Sequence, residues 1–252
     1  MLSIMNKRDA QLTIQQTKRV YDAIAQSWAA THKELWEDLL PLKKYTKDGD
    51  TVLDLGCGSG RLYQLFLGLS IRYVGADQSR EQLKFARKRY PRGKFVYGEM
   101  TNLSFKDQTF DVIYCIAAFH HLPDKKTRVQ ALKEMKRVLK PGGRVVMTNW
   151  HLWGKWGREK VKEGKYSTAR GNNFLIPWRD EKRNITVQRF YHGFTRGELR
   201  ALFREAGFRV EKQYISKGYS KNDAVVKENI VSVARSRRTP MSRASLPMNI
   251  PE

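Results

Sequence analysis

The spacing of apolar residues changes period several times along the chain, and each change predicts an element. Over residues 8–45, Val20, Ile24 and Trp28, then Leu35, Trp36, Leu39 and Leu40, recur at helical intervals, so a helical N-terminal section is expected. The Asp48-Gly49-Asp50 turn closes it. Strands and helices then alternate. A buried strand Thr51–Leu55 precedes a helix Arg61–Leu69, and a strand Ile71–Ala76 precedes a helix Arg80–Tyr90. A short strand Lys94–Tyr97 and a longer one, Phe110–Ile116, follow. Lys125–Leu139 is amphipathic, with Val129, Leu132, Met135, Val138 and Leu139 on one face. Pro141-Gly142-Gly143 breaks that helix and opens a strand over Arg144–Thr148. This alternation predicts an α/β fold, a parallel sheet with helices on both faces.

The pattern lapses over residues 150–190, which are rich in Gly, Trp and Lys and read as an insertion or loop excursion. Thr195 is placed to N-cap a helix running to Glu205, with Glu198 completing a capping box and Gly207 at the left-handed stop. Phe208–Ile215 and Ala224–Ala234 read as two closing strands. The end, Ser236–Glu252, carries three prolines and no periodicity, as a disordered tail would. The expected division is a helical lid over 1–48, a main domain over 49–235 with an acceptor-bearing insertion at 150–194, and a basic tail over 236–252.

Composition narrows the function. Among 252 residues, 48 Lys or Arg stand against 25 Asp or Glu, a net charge of +23, which favours a polyanionic partner. The basic residues concentrate: nine against four acids over 151–185, and seven against one over 125–140. Cys57 and Cys115 are too few for a disulfide framework or a four-thiolate zinc site, and read as buried fillers. His120-His121 lacks metal-ligand spacing, so no metal site is expected. With no apolar segment long enough for a signal peptide or a transmembrane helix, no membrane role is expected and the cytoplasm is the expected compartment.

The sharpest motif is Asp54-Leu55-Gly56-Cys57-Gly58-Ser59-Gly60, between a buried strand and a helix start. Glycines there let the backbone turn tightly and approach a ligand. Asp77, at the end of the next strand, can accept both hydroxyls of a ribose, and Glu99, after the third, can accept from an adenine amino group. A dinucleotide site is the rival reading, but the third glycine follows the second after one residue rather than two.

This constellation resembles the class I S-adenosylmethionine methyltransferases over about residues 50–148, including the Phe110–Tyr114 strand and the Arg137–Gly143 helix exit. The resemblance implies a Rossmann-like, seven-stranded, mostly parallel sheet whose last strand is antiparallel, with S-adenosylmethionine as cofactor. Its expected contacts are Tyr21, Asp54, Gly56, Gly58, Gly60, Asp77, Gln78, Glu99, Met100 and Ile116. Val20–Ala25, Ile116–Leu122, Asn173–Trp178 and Gln188–Leu199, the last of them well outside that core, together resemble the tRNA wobble-uridine carboxyl methyltransferases. That resemblance implies methyl-esterification of a 5-carboxymethyluridine in tRNA, with His121, Arg189, Tyr191 and His192 lining the acceptor pocket. Tyr21 would close over the cofactor, and a small zinc-binding activator subunit is a possible partner. Thr31-His32 departs from the family's Thr-Arg, replacing a constant charge with a largely neutral one.

The chemistry is compatible, since a carboxylate is ionised at neutral pH and needs a clamp more than a base. Arg189 could hold the carboxylate or a nearby phosphate, and Tyr191 and Trp178 could stack on a splayed base. The alternatives are a small-molecule O- or C-methyltransferase and a binding protein without turnover.

Overall fold

The computed structural model describes residues 7–217 and 228–236. The first six residues, the start of the last predicted strand and the predicted tail after Ser236 lie outside the described residues; Ser236 itself ends the last strand. A seven-stranded sheet forms the centre. Its strands are β1 (Thr51–Leu55), β2 (Arg72–Asp77), β3 (Lys94–Tyr97), β4 (Phe110–Ile116), β5 (Leu139–Trp150), β9 (Phe208–Lys217) and β10 (Glu228–Ser236). The order is β3-β2-β1-β4-β5-β10-β9, and β10 runs antiparallel to both neighbours while the first five strands are parallel. All five β1 residues are buried, as a central strand covered on both faces requires.

Two apolar layers cover the sheet. On one face, α4 (Lys125–Val138) and α6 (Arg196–Glu205) bury Leu132, Met135, Leu199 and Phe203 against Ile113, Val145 and Phe208. On the other, α3 (Arg80–Arg89) and two 3₁₀ segments, Glu37–Tyr45 and Arg61–Phe66, bury Leu83, Leu39, Leu42 and Phe66 against Val112, Tyr114 and Val146. The chain leaves β1 for β2 and β3 on one side and returns through β4 on the other, so a crevice opens where β1 and β4 end.

Several expectations need correction. The helix predicted at Arg61–Leu69 is a 3₁₀ segment ending at Phe66. Its inward residues Leu62, Leu65 and Phe66 suit three residues per turn as well as 3.6, and Gly68, at φ +83°, prevents extension. The helical lid is two helices, α1 (Lys7–Ala23) and α2 (Ala25–Thr31), followed by the Glu37–Tyr45 3₁₀ segment. The strand predicted over Arg144–Thr148 runs from Leu139 to Trp150.

The supposed loop excursion is folded. It forms α5 (Lys155–Lys162) and a three-stranded antiparallel sheet of β6 (Ser167–Ala169), β7 (Asn173–Asp180) and β8 (Ile185–His192). Phe174, Ile176 and Tyr191 pack there with Trp150, Leu152 and Trp156 into a third core of their own. Thr195 caps α6 by accepting from the Glu198 N–H (3.1 Å). The reciprocal half of the predicted box is not what holds Glu198, whose carboxylate turns to His192 and Arg128.

Tyr114 ties the Glu37–Tyr45 segment to the sheet. Its hydroxyl donates to Leu42 O (2.9 Å) and bonds the Thr46 hydroxyl (2.8 Å), all in buried surroundings. Tyr114→Phe leaves both partners short of a hydrogen bond and is expected to lower unfolding free energy by about 1–2 kcal/mol in urea titration; an unchanged midpoint would mean the segment is held by packing alone.

Candidate functional site

The crevice is a cavity whose floor is the loop after β1, whose walls are the ends of β2, β3 and β4, and whose roof is α1 and α2. Gly56 and Gly58 hold φ of +78° and +53°, the left-handed region that favours glycine. A Cβ on Gly56 would stand 2.4 Å from Ala118 Cβ, whereas one on Gly58 would meet only Gln82 Oε1, at 3.9 Å, so one glycine permits packing and the other borders a clear stretch of floor. The half-buried Asp77 carboxylate fixes this loop. Its Oδ2 accepts from Gly58 N (2.8 Å) and its Oδ1 from Ser79 N (2.8 Å). A carboxylate has about four acceptor positions, so two remain for hydroxyls in the cavity. Low-dielectric surroundings push the Asp77 pKa up, and the two backbone donors oppose them.

Asp54 is fully buried at the cavity wall and accepts from Tyr73 Oη (2.7 Å). Burial raises its pKa to about 7, against the pull of the Tyr73 bond. Glu99 accepts from Tyr97 Oη (2.6 Å) at the adenine end expected from the sequence.

At the other end, the cavity is aromatic. Tyr21, His121, Tyr191 and Trp150 line it, with Trp28 and His32 beyond. His121 Nδ1 faces the Phe190 carbonyl (2.7 Å), so Nδ1 carries the proton and Nε2 accepts from Tyr21 Oη (2.9 Å). Burial lowers the His121 pKa to about 4, which keeps the ring neutral. Tyr191 stacks on Trp150 with centroids 4.8 Å apart.

Arg189 shares a strand face with Tyr191, two residues on. It stands behind the wall rather than in it, its guanidinium 5.3–5.5 Å from the Trp28, Trp178 and Tyr191 rings. It is 5% exposed, its Nε and Nη1 have no hydrogen-bond partner, and Nη2 makes one long contact to Pro177 O (3.4 Å).

The remaining predicted residues divide. Tyr21, Asp54, Gly56, Gly58, Asp77, Gln78, Glu99, Met100, Ile116, His121 and Tyr191 are brought together around the cavity. Gly60 is not: a Cβ there would meet Phe95 and Tyr90, so it packs the loop onto the core. His192 points to the opposite face of β8, where Nδ1 meets Asn173 Oδ1 (2.9 Å) and Nε2 meets Glu198 Oε1 (2.8 Å). Glu198 also pairs Arg128 (3.3 Å), which donates to Leu122 O and Pro123 O. His192 thus belongs to a buried strut that joins β8 to the turn carrying His121. Cys57 and Cys115 are buried free thiols, and burial pushes both pKa values up, away from thiolate chemistry. Sequence reasoning missed Gln82, Thr17 and Trp150, which also line the cavity.

Comparison with known proteins gives the family. The family described as "Methyltransferase domain" matches residues 53–147. A protein of Encephalitozoon cuniculi that carries a provisional methyltransferase name is 32% identical over 76% of this chain and 86% of its own length. The tRNA (carboxymethyluridine(34)-5-O)-methyltransferase of Schizosaccharomyces pombe is 26% identical over 75% of this chain and 86% of its own length. The chain spans about a third of the length of other curated relatives, those of human and Arabidopsis thaliana among them. A solved S-adenosylmethionine-dependent methyltransferase from Methanosarcina mazei superposes with a TM-score of 0.66 at 25% identity, covering 82% of this chain and all of that one.

Asp54 gives a pH signature. Its folded pKa, about 7, lies above the ordinary 3.8, so the native state holds a proton that the unfolded chain has released. This penalty is absent below about pH 4, grows as pH rises, and is complete above about pH 7. Urea midpoints of Asp54→Asn should therefore gain on the wild type between those limits and run parallel above them. A constant offset across the range would remove the buried-carboxyl reading.

Proposed function

The chain belongs to the class I S-adenosylmethionine-dependent methyltransferases, and from that premise we propose that its acceptor is a carboxylate, the 5-carboxymethyl group of a modified uridine in tRNA. S-adenosylmethionine supplies the activated methyl group when bound. In this chain Asp77 and the Gly56–Gly58 loop are suited to hold its nucleoside, with Glu99 at the base and Tyr21 above.

The carrying observation is Arg189. A buried guanidinium with two unpartnered nitrogens is costly unless an anion completes it. It lies directly behind Tyr191 and Trp28, which line the aromatic end of the cavity where an acceptor would have to enter. A carboxylate acceptor supplies that anion and arrives already deprotonated. The state of His121 supports the same choice: with Nδ1–H committed to Phe190 and Nε2 to Tyr21, the ring orients its neighbours and has no free nitrogen for a proton. Methyl transfer to an ionised oxygen then needs alignment rather than a base.

The reading as tRNA rather than a small acid draws on two supports. One is the S. pombe relative's name. The other is the insertion, where Lys155, Arg158, Lys162, Arg179 and Lys182 are exposed, as phosphate contacts would need.

The test is methyl transfer by the purified protein to tRNA from cells lacking its gene, read by nucleoside mass spectrometry. An alkali-labile methyl ester of 5-carboxymethyluridine is expected. Arg189→Ala should cut its formation by about 10–100-fold, the value of a hydrogen bond to a charged group, and leave cofactor affinity intact. Ring methylation, or no product on tRNA, would overturn the proposal.

A further inference from the structure

Two polar side chains that line the cavity also lack partners. Gln82 is 1% exposed, lines the cavity, and neither its amide oxygen nor its amide nitrogen is hydrogen-bonded. Thr17 is 5% exposed, lines the same cavity from α1, and its hydroxyl is likewise unpartnered. Burying an amide without hydrogen bonds is costly, so a folded protein seldom keeps such a group without use for it.

Their placement names the use. Gln82 sits in the first turn of α3, where Ser79 caps the helix by accepting from the Gln82 N–H (3.1 Å). Its Oε1 is the nearest atom to the open side of Gly58, and Gly58 is the residue whose N–H holds Asp77. Gln82 and Asp77 therefore flank one spot on the cavity floor. Thr17 faces the same cavity from the roof, since Ile14, Thr17 and Tyr21 form one inward stripe of α1. Asp22 clamps α1 there: its Oδ1 accepts from Ser79 Oγ (2.6 Å) and from Glu81 N (3.3 Å).

We propose that Gln82 and Thr17 bind the ribose hydroxyls of S-adenosylmethionine together with Asp77, so that the lid helix itself reads the sugar. Asp77 can only accept, and each ribose hydroxyl both donates and accepts. The Gln82 amide offers a donor and an acceptor beside it, and the Thr17 hydroxyl offers either. Cofactor binding thereby completes two side chains that the protein alone leaves unpaired, and it fastens α1 over the site.

Calorimetric binding of S-adenosylhomocysteine and of its 2′,3′-dideoxyribose analogue tests this. Gln82→Leu should weaken S-adenosylhomocysteine about tenfold, one hydrogen bond's worth, and leave the analogue within about twofold of wild type. Thr17→Val should behave alike, with a smaller loss. Gln82→Leu should also raise the melting temperature of the cofactor-free protein, because an apolar group replaces a buried unpaired amide. Opposite shifts in affinity and stability are the mark of a ligand contact; a structural residue would lose both. Equal losses for the two ligands would overturn the ribose assignment, as would unchanged affinity for S-adenosylhomocysteine. Neither result depends on the acceptor being tRNA.

Discussion

The Asp77 carboxylate is where the parts of this protein meet. One oxygen holds the glycine loop through Gly58, and the other holds the start of α3 through Ser79. The Ser79 hydroxyl in turn donates a hydrogen bond to Asp22, so the lid helix is registered against the same point. A single acid at the end of β2 thus sets the floor, one wall and the roof of the cavity. The parallel sheet matters to function chiefly because it brings that acid, Asp54 and Glu99 to neighbouring strand ends.

The cavity is otherwise defined by what it leaves unpaired. Arg189 at the aromatic end and Gln82 and Thr17 at the nucleoside end are buried polar groups without partners. On the two proposals above, these groups cost stability in the protein alone, and an anion and a sugar complete them. Around them the rest is satisfied. The His192–Glu198–Arg128 strut ties β8, which carries Arg189 and Tyr191, to the turn that follows His121.

Much of this was legible in the sequence, for physical reasons. Gly56, Gly58 and Asp77 act through backbone conformation and strand position, and both leave a mark in motif spacing. The central strands followed from apolar runs bounded by turns. The insertion did not, because β7 carries only Phe174 and Ile176 inward around an exposed Leu175, too brief an alternation amid lysines and glycines. Arg189, Tyr191 and His192 were read as one acceptor group, yet the two-residue period of a strand already separates His192 from the other two. Gln82 passed as an ordinary helix residue. Its signal was its position, on the inward face of α3 with Leu83 and Ala86, where a polar side chain needs a reason.

The central claim, that Arg189 is the receptor for an acceptor carboxylate, is tested most directly by a difference in affinity. The protein saturated with S-adenosylhomocysteine would be titrated with two anticodon stem-loops, one carrying 5-carboxymethyluridine and the other its neutral 5-carbamoylmethyl counterpart. Wild-type protein should prefer the carboxylate by about tenfold or more, and Arg189→Gln should bind the two alike. A preference that survives Arg189→Gln undiminished would contradict the claim and move the receptor to another cation.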